Sequence, residues 1–384
     1  MPSDNLDAKS VEIHRKLRGK IGIGAKAPIR TAEDLSILYT PGVAAPCREI
    51  AKDRSLAYDY TMKWNAVAIV TDGTRVLGLG DIGPEAALPV MEGKALIMQQ
   101  FAGIDAIPIC LAEKDPDKIV EIVKAIAPGF GAINLEDIST PKVFHIEKRL
   151  TDELGIPVFH DDQHGTAMVS LAGLYNALKV VGKGQDVLIG IVGAGSAGYA
   201  IAKLLMAAGF GNLVVFDSHG ALSPARKDLG DGHKQFLAGL NRSGFSGAIA
   251  EFKGADVIIS AAKPGALPLE TIRAMRKPNI VFALSNPVSE ITLEQAKELG
   301  IDVFGTGRSD YPNQINNSVC FPGFLRALLD LRARKITDGM KIAAAKGIAA
   351  SVPGPSREKI IPDAFDKSVV ESIRRSVEKE MKKG

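Results

Sequence analysis

Short apolar runs alternate with longer segments of helical periodicity along most of the chain. AVAIVTD (66–72), DAIPICLA (105–112), GAINLED (131–137) and IPVFHDD (156–162) have the length and branched, apolar content of buried strands. Between them, EAALPVMEGKALIMQQFAG and DPDKIVEIVKAIA read as helices. After a further helix, GTAMVSLAGLYNALKVV, the pattern restarts with VLIGIVG as strand, SAGYAIAKLLMAAG as helix and NLVVFD as a second strand. ADVIISAA, NIVFALS and IDVFGTG supply further strands. This alternation predicts an α/β protein with parallel sheets. It divides into an N-terminal α/β domain over residues 1–163 and a C-terminal doubly wound domain with trailing helices over 164–384. The Gly-, Ser- and Asp-rich stretch from Ser218 to Gly247 reads as a mobile loop. The terminal KSVVESIRRSVEKEMKKG reads as a solvated amphipathic helix.

Composition narrows the function classes. A chain of 384 residues can build two domains, each with a core of its own. Its net charge of +3 comes from intermixed signs, without the basic stripe that nucleic acid requires. Cys47, Cys110 and Cys320 are odd in number and far apart, which argues against a disulfide framework and for a reducing cytosol. The N-terminus MPSDNLDAKSVEIHRKLRGK lacks the apolar core of a signal peptide, and no window approaches a membrane-spanning length. A cytoplasmic protein that binds neither membrane nor nucleic acid is expected.

The second half opens on Gly193-Ala-Gly195-Ser-Ala-Gly198, set between a predicted strand and a predicted helix. Gly193 permits the tight turn, Gly195 lets the backbone approach a pyrophosphate, and Gly198 allows helix and strand to pack closely. Ser196 and Ala197 then start a helix whose free N–H groups face the phosphates. Asp217 ends the second strand, where a carboxylate accepts both ribose hydroxyls. These features predict a Rossmann-type NAD(P) site; the bland reading is a glycine-rich turn that binds nothing. Asp217 favours NAD, because a 2′-phosphate would meet its charge, while Arg226 and Lys227 could offset that repulsion.

The ends of two strands in the first half are acidic: Glu136 and Asp137 on one, Asp161 and Asp162 on the other. In parallel α/β sheets those ends face the ligand crevice. Carboxylates converging there repel one another unless a cation sits among them, and all-oxygen ligation suits Mg²⁺ or Mn²⁺. Two alternatives stand beside this. His160 and His164 could ligate zinc, although a spacing of four suits a helix rather than a strand end and a turn. The carboxylates could also simply cap helices, which fits any one of them better than the set. Tyr39, in the turn YTPGVA, and Lys94, in the otherwise apolar MEGKA, are the remaining candidates. A lysine in such a helix usually snorkels to water, but a buried one can serve as a base.

YTPGVA, TDGTRVLGLGDIGP, MEGKA, NLED, FHDDQHGTA, GAGSAG, FALSNP and NQINNSVCFPG occur in an order and spacing that closely resemble the malic enzymes, in their short prokaryotic form. The resemblance spans nearly the whole chain. It implies oxidative decarboxylation of L-malate to pyruvate and CO₂, with NAD or NADP and Mn²⁺ or Mg²⁺, by a homodimer. It further implies Tyr39 as general acid, Lys94 as general base, and Glu136, Asp137 and Asp162 as metal ligands. Asp161 becomes a neighbour tuning Lys94 or the metal, and Asn286, Asn316 and Asn317 become contacts to substrate or nicotinamide. Arg75 falls where larger members pair an arginine with a malate carboxylate, a place often held by a small residue in short forms. The resemblance also implies decarboxylation of oxaloacetate. Whether Tyr39 serves its own subunit or its partner's is left open, as are a malolactic reaction that retains the cofactor and releases lactate and a non-catalytic metabolite-sensing role on the same scaffold.

Overall fold

The computed structural model describes residues 2–76, 78–230, 232–286, 288–363 and 366–383. Its N-terminal region is a string of short helices, α1 (Pro2–Leu17), α2 (Ala32–Leu38), α3 (Ala44–Lys52) and α4 (Ala57–Tyr60). No residue with described burial before Asn65 is buried. That region therefore contributes nothing to the core of its own chain.

The first sheet is wholly parallel, in the order β2-β1-β3-β4, and contains β1 (Ala66–Thr71), β2 (Asp105–Cys110), β3 (Ala132–Leu135) and β4 (Val158–His160). Every residue of β1 is buried, which is why it reads as an unbroken apolar run rather than an alternation. The strands are joined by α5 (Pro84–Ala102), α6 (Pro116–Ile126) and α7 (Lys142–Glu153). Proline in the first turn starts α5, and Gly103, at φ 61°, ends it in the left-handed conformation.

The long helix α8 (Asp161–Val181) links the two halves. Sequence reasoning started it at Gly165, with the two aspartates on a strand end and turn. Instead β4 runs into α8 without a loop, and Asp161 and Asp162 occupy its first turn, where the helix dipole favours negative charge. Most of the helix is buried, so it packs as a central element between the sheets.

The second sheet has the order β10-β9-β8-β5-β6-β7, with β5 (Ile189–Val192), β6 (Leu213–Asp217), β7 (Gly220–Ala221), β8 (Val257–Ser260), β9 (Ile280–Ala283) and β10 (Val303–Thr306). All pairs are parallel except the short edge pair of β6 with β7. The chain order reverses across β5, between β6 and β8, and such a switch point opens a ligand crevice. Three helices accompany these strands: α9 (Ser196–Ala207), α11 (Leu269–Arg273) and α12 (Leu293–Glu298).

The stretch read as a loop, 218–247, is instead folded over β7 and α10 (Gly232–Leu240). Leu222, Leu237 and Ala238 bury there, and the Asn241 side chain donates to the Leu222 and Phe245 carbonyls. At the C-terminus, α13 (Phe321–Asp330), α14 (Asp338–Ala350) and α15 (Ser368–Met381) close the fold. The last of these is amphipathic as expected, burying Val369, Ile373 and Val377 and pairing Glu371 with Arg374 and Arg375 outside. One continuous core runs from Val67 and Met91 through α8 to Ile189 and Phe324, so the two sheets share it.

Candidate active site

At the carboxyl ends of β3 and β4 the acidic residues meet. Asp137 adopts a positive φ of 51°, turning the chain so that its N–H points to Asp162 Oδ2 at 3.3 Å. Glu136 is anchored from below by Asn134, whose side-chain amide donates to Oε2 at 2.9 Å. Glu136, Asp137 and Asp162 each offer an oxygen within 4.8 Å of the others, and no other set of three ligating residues meets that condition among the described residues. Such a set of hard oxygen donors fits Mg²⁺ or Mn²⁺. The zinc alternative is not assembled: His164 Nε2 is bonded to Glu147, and the His160 Nδ1 edge is turned towards the same carboxylate.

Lys94 enters this cluster from α5. Its ammonium pairs with Asp161 and lies 3.1 Å from Glu136 Oε1 and 4.4 Å from the centre of the Phe321 ring. Burial opposes the charge, yet Asp161 and Glu136 outweigh it and hold the Lys94 pKa above its ordinary value. Burial likewise opposes ionisation of Asp162, but His160, Lys94 and Arg75 hold its carboxyl down at about 2. Asp161 is fully buried and also accepts from Asn317 Nδ2 at 2.6 Å. A Cβ at Gly165 would fall 2.0 Å from Asp161 Oδ1, so glycine is what lets that carboxylate fold back over the first turn of α8. Asn316, by contrast, uses its side-chain oxygen to cap the Asn317–Val319 turn.

The dinucleotide turn follows β5 as the fingerprint requires. Gly193 has φ 107°, and a Cβ there would meet the Ala261 carbonyl oxygen at 2.6 Å. A Cβ on Gly198 would lie 1.8 Å from the Gly193 oxygen, whereas one on Gly195 would meet nothing within 4 Å. Two of the glycines thus serve the protein's own packing, and the third faces open space where a ligand can approach. Ser196 is buried and Ala197 half-buried in the first turn of α9. A cleft of about 510 Å³ lies alongside, lined by Gly193, Gly195, Asp217, Lys234 and Lys263 among others.

Asp217 lies at this cleft already partnered. Arg226 donates to both its oxygens, at 2.7 and 3.2 Å, and Lys234 Nζ lies 3.2 Å from Oδ2. The second cation is therefore Lys234 from α10, not the Lys227 considered from sequence. Across the crevice, Asn286 is exposed and its amide donates to the Gly307 carbonyl at 3.1 Å. Sequence reasoning also missed Glu290, which is buried and ties the loops after β8 and β9 together by accepting from the Ala262 and Ser285 N–H groups at 3.3 and 3.0 Å.

Arg75 joins the two halves of the site. Its backbone N–H donates to the Asp137 carbonyl at 3.0 Å, and its guanidinium donates to Ser196 Oγ at 2.9 Å. The carboxylate cluster and the first residue of the dinucleotide helix are thus bridged by one residue, through its backbone on one side and its side chain on the other.

Residues 18–151 match the profile described as the malic enzyme N-terminal domain, and residues 163–371 that of the malic enzyme NAD binding domain. The chain belongs to the malic enzyme family. A relative from Geobacillus stearothermophilus, named NAD-dependent malic enzyme, is 52% identical over 377 residues, covering 97% of this chain and 78% of its own. The bifunctional malic/malolactic enzyme of Bacillus subtilis (strain 168) is 48% identical, covering 98% and 93% of the two chains. The crystal structure of NAD-dependent malic enzyme from Thermotoga maritima superposes with a TM-score of 0.92 at 45% identity, over 96% of this chain and 98% of that one.

Tyr39 stands apart from all of this. It ends α2, is 63% exposed, and has no described contact with Lys94 or the carboxylates. Its neighbourhood is apolar and uncovered, with Leu35, Ile37, Leu38 and Val43 all exposed.

Proposed function

We propose that the chain catalyses the divalent-metal-dependent oxidative decarboxylation of L-malate to pyruvate and CO₂, with reduction of NAD(P)⁺. The observation that carries this is the bridge of Arg75 between Asp137 and Ser196, which puts a carboxylate cluster containing a buried lysine beside a nicotinamide-type cleft. When bound, a cation at Glu136, Asp137 and Asp162 supplies a Lewis acid for malate oxygens, and NAD(P) along Gly193–Gly198 supplies the hydride acceptor. The residues assign the remaining work. Lys94 takes the proton of the C2 hydroxyl as hydride leaves C2. A base must begin without its proton, and Lys94 beside two carboxylates favours keeping it. Asp161 resolves this as a relay partner: it is buried against Lys94, and its Oδ1 has no hydrogen-bond partner in the structure. The C3–C4 bond then breaks, CO₂ departs with the bonding electron pair left in the enolate of pyruvate, and that enolate receives a proton at C3 from Tyr39. Arg75 and Asn317 line the substrate side, and Asn286 the nicotinamide side.

We divide the chain into residues 1–163 and 164–384 on the ground that the strands of the two sheets lie within 66–160 and 189–306, with α8 running across the boundary. We assign the working state as a homodimer in which the N-terminal helices pack on a second copy and carry Tyr39 into its site. The support is the absence of any buried residue before Asn65 among those with described burial, together with the exposed apolar side chains around Tyr39. No described helix is long and apolar enough to cross a membrane.

The deciding experiment measures initial rates on L-malate with NAD or NADP, with EDTA or Mn²⁺, while pyruvate and lactate are quantified. Metal-dependent formation of NAD(P)H with pyruvate is expected. Lactate without net NAD(P)H would establish the malolactic reading, which the Bacillus relative favours as the second possibility. Full activity in metal-free enzyme would overturn the carboxylate site, and restoration by Zn²⁺ alone would return the histidines to consideration.

A further inference from the structure

Behind the carboxylate cluster, a line of polar side chains runs from α7 to Asp162. Glu147 on α7 is paired on one side with His164, and its Oε2 accepts from Gln163 Nε2 at 2.8 Å. The same amide nitrogen of Gln163 contacts His160 Nδ1. His160 is fully buried, and its other ring nitrogen, Nε2, has no hydrogen-bond partner but faces Asp162 Oδ2 at 3.6 Å.

The hydrogens of this line can be placed by elimination. An amide NH₂ group donates twice and accepts nothing. Glu147 fixes which end of Gln163 faces inward, because the amide oxygen in that place would meet a carboxylate. With one amide hydrogen on Glu147, the other falls to His160 Nδ1, which must accept it. A ring that accepts at Nδ1 carries its hydrogen on Nε2, the edge facing Asp162.

We propose that Gln163 and Glu147 are positioning residues for the cation site, acting through His160 to hold Asp162 Oδ2 and leave Oδ1 for the metal. The division of oxygens fits the rest of the geometry, because Oδ2, which His160 Nε2 faces, accepts from the Asp137 N–H at 3.3 Å. No described residue donates to Oδ1. Partners that orient a ligand in this way typically change metal affinity by about 10–100-fold when removed. The inference rests on Glu136, Asp137 and Asp162 being the cation site.

Gln163→Met keeps the length of the side chain and removes the amide. Mn²⁺ binding to the otherwise ligand-free enzyme is followed by electron paramagnetic resonance of the free ion, and NADH binding by fluorescence as a check on the fold. Gln163→Met should weaken Mn²⁺ binding by about 10–100-fold with NADH affinity kept within about twofold. In a His160→Gln background, which lacks Nδ1, the same substitution should have no further effect. Mn²⁺ affinity within twofold of the wild type would overturn the proposal, as would an equal loss in the His160→Gln background. Should Gln163→Met lose NADH binding through misfolding, Glu147→Ala is judged by the same thresholds. A wild-type enzyme that binds no Mn²⁺ would refute the cation site and this inference together; normal binding with an indifferent Gln163 refutes only the inference.

Discussion

Replacing Gly195 and Gly198 separately by alanine should divide cofactor binding from folding. A Cβ on Gly198 would sit 1.8 Å from the Gly193 oxygen, about 1.6 Å short of the 3.4 Å at which ordinary contact begins. Both partners are backbone, so no rotamer relieves the clash and α9 must move away from the turn after β5. Overpacking of this kind costs about 1–3 kcal/mol, and the upper half of that range is expected where nothing soft can yield. Gly195 differs in both respects. Its φ and ψ of −79° and −168° suit any residue, and a Cβ there meets nothing within 4 Å. Alanine is a poorer helix N-cap than glycine, but it restricts the unfolded chain, and the two effects should cancel to within about 0.5 kcal/mol. The added methyl nevertheless stands where a pyrophosphate must approach the backbone. Gly195→Ala should therefore lose at least about tenfold in NADH affinity, or about 1.4 kcal/mol, while keeping its unfolding midpoint. Gly198→Ala should lower the midpoint as well. Urea unfolding followed by circular dichroism and NADH titration followed by fluorescence measure both quantities. Equal destabilisation by the two substitutions, or unchanged NADH affinity in Gly195→Ala, would refute this division of roles.

Asp217→Ser would remove the carboxylate that Arg226 and Lys234 share at the cleft, while Arg226 keeps Asp228. The ratio of specificity constants should move towards NADP by about ten- to hundredfold, from the loss of a charge-assisted hydrogen bond of about 1.5–3 kcal/mol; an unchanged ratio would show that Asp217 does not face the ribose. Lys94→Ala should reduce malate oxidation by about 10²–10⁴-fold, whereas Tyr39→Phe should spare oxaloacetate reduction by NAD(P)H, which needs no protonation at C3. Equal loss of oxaloacetate reduction in the two variants would undo that assignment. Mixing inactive Lys94→Ala and Tyr39→Phe chains should restore part of the malate activity if Tyr39 serves the partner's site, and no recovery after verified subunit exchange would place it in its own.

The strands were legible because parallel strands covered on both faces become continuous apolar runs, and their carboxyl ends are where ligands bind. Glu136, Asp137, Asp161, Asp162 and Gly193 to Gly198 could therefore be placed from spacing, while the choice of Asp162 over Asp161 as a ligand came from the family resemblance; the structure brings Glu136, Asp137 and Asp162 together. The start of α8 was misjudged because FHDDQH lacks an apolar period, although acidic residues are favoured in a first helical turn. Lys234, Glu290 and the Glu147–Gln163–His160 line left no local signal. Each depends on a partner brought near by the fold, such as the pairing of Lys234 with Asp217 across 17 residues. Lys94 was ambiguous for the opposite reason. Its apolar helix left burial and snorkelling both open, and although the resemblance put Asp161 near it, the structure adds Glu136 and shows that the two carboxylates favour the charged form rather than the base.

The arrangement also explains why the two sheets share one core. Hydride transfer tolerates little error in the distance between donor and acceptor, and here the groups that hold the two come from different halves of the chain. The first turn of α8 carries Asp161 and Asp162 to the carboxylate cluster and Lys94, while its buried body packs against α9, the helix that begins at the dinucleotide turn. Arg75 adds a direct link between Asp137 and Ser196. A shift between the sheets would therefore disturb a large apolar interface before it disturbed the site. Fewer constraints hold the N-terminal helices, in which no residue with described burial is fully buried. In the proposed homodimer the group that acts last, Tyr39, is the one whose placement would depend on a second copy.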